Sequence, residues 1–195
     1  GLGVAPHFIL HKSRDGGTEN WPVYHIGTGN THGVDLNRNV AQIDNATLFN
    51  DTSPTSSVFT VASDSAINNG DNIMAWAWTS IQGFSKFGTY TGNGNADGTF
   101  IYTGFKPAFF MWKRYDHSTG WGMVDNARNP NNPGFFQSFP HDTGEGNYSI
   151  GDFVSNGIKM RNTFADTNGT DDLHIFMAFA ENPFVSSEGV PCTAR

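Results

Sequence analysis

The chain has 195 residues, of which 14% are aromatic, 15% are charged and 23 are glycine. So few charges exclude a coiled coil or charged helical bundle, so many rings exclude general disorder, and no apolar run approaches the roughly 20 residues of a membrane helix. Eleven Lys and Arg against 18 Asp and Glu give a net charge of −7. With no basic cluster, neither nucleic acid nor membrane insertion is expected.

In chain order the sequence reads as short strands. Phe8 to Lys12 follows Pro6, and Trp21 to Ile26 alternates and ends at Gly27. Val58 to Val61 is β-branched, and Ile73 to Trp78 is a longer apolar run. Phe84 to Tyr90, Thr99 to Thr103, Ala108 to Lys113 and Trp121 to Val124 continue the series. Phe153-Val154, Ile158 to Arg161 and His174 to Ala180 complete it. Gly, Asn, Asp, Ser and Thr clusters between them supply turns. Such spacing predicts an all-β protein, a sandwich of jelly-roll or lectin-like type. No helix is expected beyond one turn at Asp125 to Asn129.

The order of landmarks repeats. Pro6 to Lys12 matches Pro107 to Lys113, Trp21 matches Trp121, and Met74-Ala75-Trp76 matches Met177-Ala178-Phe179. Two internally duplicated halves, 1–82 and 101–184, are therefore expected, joined by 83–100 and followed by a tail at 185–195. A single β unit over 1–195 is favoured over two tandem small domains, because four or five strands make a thin core. Both closing strands are apolar on both faces and are expected to be central.

The opening Gly1-Leu2-Gly3-Val4-Ala5-Pro6 with Ile9, Lys12 and Arg14 resembles the "GLGxAPxxIxxKxR" repeat of tail-fibre and other virion proteins of tailed phages, especially marine ones. Trp21-Pro22-Val23-Tyr24, the closing stretch Asn69 to Trp78 and the ending Ala178 to Phe184 are similar to the same family. The resemblance covers nearly the whole chain. It implies a β-rich, non-enzymatic particle protein: a tail fibre, tail appendage or decoration protein located in the virion. Other virion proteins and further copies of the chain are the implied partners, with a host-surface glycan as candidate receptor. The family's strand before the first Gly-Leu-Gly has its counterpart only at Phe84 to Thr91, so a parent chain continuing upstream is expected. The lack of a Met or a signal segment at Gly1 reads as an excised or processed product.

Catalytic motifs are missing. No nucleophile elbow, phosphate loop or H-E-x-x-H occurs, and the seven His are scattered. Cys192 is alone and forms no internal disulfide or zinc knuckle. Asn93 to Gly98 and Asp166 to Asp172 carry the side chains of calcium loops, but Gly104 stands where a bidentate Glu is required. Hairpin turns explain both segments more simply. No catalytic residue, metal ligand or cofactor is assigned, calcium being the one ion the loops could take. Asp125, Asp142, Glu145, Asp152 and Glu181 are available as paired carboxylates, but spacing does not pair them.

Aromatic side chains offer the binding hypothesis, since rings stack on sugars and carry polar handles. Trp21, Tyr24, Trp112, Tyr115 and Trp121 lie on or near strands and are the candidate ligand-binding residues. Packing competes for the same residues, above all for the duplicated Trp21 and Trp121. The longest loops, Asn30 to Ser57 and Asn129 to Gly151, are where contacts are expected. Sequons at Asn45, Asn50, Asn147 and Asn168 are ordinary for an Asn-rich chain. The alternative to a virion module is a carbohydrate-binding module of a secreted bacterial protein, and a glycosidase or lyase ranks third.

Overall fold

The computed structural model describes residues 3–15, 17–128, 130–140, 142–185 and 191–192. Five strands, β1 (Phe8–Ser13), β2 (Pro22–His25), β3 (His32–Asp35), β4 (Ile43–Asp44) and β5 (Ile73–Trp78), form an antiparallel sheet in the order β4-β3-β2-β1-β5. A second antiparallel sheet is built from β6 (Ser85–Thr91), β7 (Phe100–Tyr102), β8 (Pro107–Arg114), β9 (Trp121–Asp125), β10 (Gly134–Ser138), β11 (Glu145–Val154), β12 (Gly157–Met160) and β13 (Leu173–Ala180). Its order is β6-β13-β8-β9-β10-β11-β12-β7. A short ribbon pairs β14 (Phe184–Val185) with β15 (Pro191–Cys192). The expected tail otherwise lies outside the described residues, as do Gly1 and Leu2.

The protein is an all-β sandwich. Phe8, Val23 and Val34 of the first sheet share one buried cluster with Phe87, Met111, Trp121, Ile175 and Met177 of the second. On the opposite face of β8 and β13, Phe110, Trp112, Phe176 and Ala178 pack against Ile150, Phe153, Ile158 and Ile101. The second sheet thus folds over itself: β11, β12 and β7 cover the strands that the first sheet covers from the other side. Five successive residues of β13, His174 to Ala178, are buried as a result. A strand covered on both faces loses its polar alternation.

The outer face of the first sheet is closed by the helix α1 (Ala46–Phe49). Asn45 caps it by accepting the Thr47 N–H, and Asn50 ends it at φ 51°. Leu48 and Phe49 then pack on Ile9 and Tyr24. The sequence signals neither α1 nor β3, whose Gly33 reads as a breaker. Yet a Cβ at Gly33 would stand 2.5 Å from Leu48 Cδ1, so glycine in that strand lets α1 seat Leu48 against it.

Two local readings are corrected. Val58 to Val61 is a loop, turned by Thr55, whose Oγ1 accepts the Ser57 and Val58 N–H groups. Val58 is 64% exposed, and β-branched residues favour strands only where a half-buried pleat receives them. Asp125 to Arg128 stays within the one turn expected there: Asp125 Oδ1 accepts the Ala127 and Arg128 N–H groups, and Asn129 lies outside the described residues. The strand read at Phe153-Val154 is the end of the ten-residue β11.

Pairing in the two sheets follows the same order. β1 lies between β2 and β5, and β8 lies between β9 and β13. Pro6 precedes β1 and Pro107 opens β8, while Trp21 precedes β2 and Trp121 opens β9. The expected central placement of both closing strands holds for β13 alone, because β5 is an edge strand.

Candidate functional site

The five rings singled out by sequence do not meet. Trp112 is fully buried beneath β11 and β12, where its Nε1–H donates to Asp166 O at 2.8 Å. Trp121 is buried between the sheets and donates to Asp35 O at 2.8 Å. Tyr24 lies under α1, edge-on to Phe49. None of these three presents a face to a ligand. Tyr115 is half-buried against the shared cluster. Trp21 is half-buried beneath Lys12, whose Nζ stands 5.2 Å from the ring centroid.

The two calcium-like segments do meet, around an amide instead of an ion. Asn168 Nδ2 donates to Asn93 Oδ1 at 3.0 Å, Asn95 O at 2.9 Å and Asn162 O at 2.7 Å. Its Oδ1 accepts the Asn93 and Thr99 N–H groups at 3.3 Å. Oxygens that would ligate a cation are gathered instead by an amide nitrogen. Asp97 turns outward to Lys159 and Arg161, and Asp172 pairs with Arg114. Among the described residues no group of three or more His, Cys, Asp or Glu is placed to hold a metal. Asn168 is fully buried, so that sequon is no glycan acceptor in the folded chain.

Exposed rings converge elsewhere. Tyr148 on β11 and Phe164 in the loop after β12 are 52% and 46% exposed, with centroids 5.7 Å apart and planes at 75°. With Phe139 and Asp166 they line a cleft of about 370 Å³. Buried Asn162 sets the geometry. Its Nδ2 donates to Ser149 O at 2.8 Å on β11, while its Oδ1 accepts the Phe164 N–H at 3.1 Å. One side chain therefore ties the Phe164 loop to the Tyr148 strand. The loop is also held from below, by Trp112 on Asp166 O and by Tyr90 Oη on Thr167 O at 2.8 Å. Gly146 lets both neighbouring rings lie close, since a Cβ there would stand 2.9 Å from Tyr148 and 3.2 Å from Phe139.

Burial raises the Asp166 carboxyl above the usual carboxylate range, opposed by its own backbone N–H. Two rings nearly at right angles beside a carboxylate form a corner for a flat ligand with an apolar face and hydroxyl donors. Sequence reading placed Tyr148 inside a candidate loop without singling it out, and missed Phe164. The signal for Phe164 was present: a lone Phe in the polar run Arg161 to Asp166 has no strand to bury it. The other expected contact loop, Asn30 to Ser57, spends Leu48 and Phe49 on covering the first sheet.

A family model described as a domain of unknown function (DUF7483) matches residues 1–183. No curated protein and no solved structure matches the chain.

Proposed function

The chain belongs to the DUF7483 family, and we propose that it serves as a non-enzymatic structural module of a phage virion. Its place there is a tail fibre, tail appendage or decoration, and it touches a host-surface glycan through the Tyr148–Phe164 cleft. The repeat resemblance supports the virion assignment, with the two halves read as copies. The glycan assignment is carried by one observation: two exposed, perpendicular rings beside Asp166, fixed on a rigid β scaffold by Asn162. The same cleft favours the second reading, a carbohydrate-binding module of a secreted bacterial protein.

Tyr148→Ala and Phe164→Ala together should cut glycan-array binding and adsorption to host cells at least tenfold. Each stacked ring is worth roughly 1 kcal/mol, while half-exposed side chains leave folding stability within about 0.5 kcal/mol. Unchanged adsorption with unchanged melting makes the domain a spacer or decoration. Tight binding of the isolated chain to a simple polysaccharide, with the protein absent from particles, selects the secreted module. Turnover of a glycan that Asp166→Asn abolishes would overturn the non-enzymatic reading.

A further inference from the structure

The protein blunts most of its sheet edges. β4 has two residues and an Asp, β7 has three residues, and β6 carries Lys86 and Gly88. Short length, charge and glycine are the usual protections of an open edge. β5 has none of them. Ile73-Met74-Ala75-Trp76-Ala77-Trp78 is six uncharged apolar residues, with Met74 40% and Trp76 38% exposed.

The direction of its backbone groups follows from the β1 pairing. The carbonyls of Asn72 and Trp78 accept from Arg14 and His7, so even-numbered residues of β5 face β1. Ile73, Ala75 and Ala77 therefore aim their N–H and C=O groups outward, with no partner among the described residues. The loop at Thr55 to Phe59 comes near only the Ala77 end, where with Val4 and Pro6 it lines a cleft of about 170 Å³, and Ala75 stays exposed.

We propose that a second copy of this chain pairs with β5 along this edge, strand against identical strand, joining two five-stranded sheets into one of ten. The outward groups fix an antiparallel register about a two-fold axis at Ala75. Ala75 then exchanges both backbone bonds with its symmetry mate, and Ile73 pairs with Ala77 of the second copy. Met74 packs beside Trp76 of the second copy, a sulfur-to-ring contact that occurs twice. This is the isologous contact that two-fold symmetry requires.

Charge favours the same arrangement. Two molecules of net charge −7 meet through a strip that bears no charge. The Asn72 end carries Asp15 and Asp71, with Arg14 near Asp15. Beyond the Trp78 end stands His7, whose pKa is lowered by burial first and then by the nearby charge of Lys86. Antiparallel pairing sets the acidic end of each copy towards the cationic end of the other. The interface does not depend on the virion reading or on the glycan cleft.

The test uses the whole chain in sedimentation equilibrium, with charge at the two-fold axis. The wild type should approach twice its 21.3 kDa mass as concentration rises. Ala75→Lys and Ala75→Glu, each pure, should stay monomeric and melt as the dilute wild type does, because like charges directly opposite repel. Mixed in equal amounts they should regain the dimer. Amides of Ile73, Ala75 and Ala77 should gain exchange protection with concentration in the wild type alone. A wild type that is monomeric at its solubility limit overturns the proposal. So does a dimer that both single variants keep, or a wild-type dimer that the mixture fails to restore.

Discussion

β5 and β13 each pair with the strand of a proline segment, β1 after Pro6 and β8 opening at Pro107, and their surroundings are opposite. β13 lies between β6 and β8, and the first sheet and the β11–β12 layer cover its two faces. β5 has β1 on one side and an open edge on the other. The difference comes from β6, which adds to β13 and has no counterpart beside β5 among the described residues. An apolar run such as Ile73 to Trp78 reports that a strand has apolar neighbours somewhere. It does not report whether those neighbours belong to the same molecule.

The sharpest way to break the comparison is a carboxylate at matching positions. Ala178 is fully buried within reach of Phe110 and Phe176. Ala178→Asp buries an unpaired charge and should cost more than about 4 kcal/mol, leaving no cooperative melt by circular dichroism. Ala75 is exposed, so Ala75→Asp should change the stability of the dilute chain by no more than about 0.5 kcal/mol. Equal effects at the two positions would show that the closing strands share one environment.

Sequence carried the strands of this fold further than their neighbours. Turn residues between apolar runs marked β1, β2, β5, β6, β7, β8, β9, β12 and β13, because local pattern and final position agree there. β3 and α1 escaped because each makes sense only against the other: Gly33 needs the approach of Leu48, and Leu48 needs the face beside Gly33. The candidate site failed for a related reason. Trp112 and Trp121 are strong ring signals, but a large ring on a strand is most often core, and their indole N–H groups are spent on Asp166 and Asp35. Tyr148 and Phe164 come together through Asn162, a contact across 16 residues that no local pattern encodes.

Acid should separate the two sheets next. His11 and His25 belong to the first sheet and His174 to the second, and burial lowers all three pKa values to about 4. His25 Nδ1 accepts the Gly27 N–H, so Nε2 donates to Phe176 O on β13, and the ring is neutral. His11 and His174 each donate from Nδ1, to Pro22 O and Asp172 O, and bury Nε2 with no hydrogen-bond partner within reach among the described residues. Their charged neighbours act weakly: His7 on His25, and Asp116 against Arg114 on His174. The folded pKa lies below the unfolded 6.5, so the unfolded chain binds more protons. Stability is then complete above pH 6.5 and falls as pH drops towards 4, by up to about 3 kcal/mol for each ring. Melting temperature followed from pH 7 to pH 4 should fall steeply, and amide exchange should open the first sheet, with two such rings, before β13. A melting temperature that is level down to pH 4 would sink this account.

Small effects of opposite sign should come from two lysines, Lys12 and Lys113. Lys12 and Lys113 end the corresponding segments of β1 and β8, each facing a tryptophan strand. Lys12 is half-buried with its ammonium over Trp21. Lys12→Met removes that attraction and should cost roughly 0.5–1 kcal/mol. Lys113 is fully buried, and its Nζ donates to Arg114 O at 2.5 Å. Burial lowers its pKa from 10.5 to about 8, with Asp116 opposing and Arg114 assisting. The folded chain therefore holds this proton less tightly than the unfolded chain does. Below pH 8 the ammonium stays charged at a cost, and as pH rises towards 10.5 the folded chain sheds the proton first and gains stability. An apolar side chain of similar volume avoids that cost, so Lys113→Met should stabilise by about 1 kcal/mol at pH 7 after loss of the Arg114 hydrogen bond. The gain should shrink as pH approaches 10, which chemical denaturation at pH 7 and pH 10 would measure. A loss of stability at pH 7 would mean that the buried ammonium contributes more through its bond to the Arg114 carbonyl than its desolvation costs.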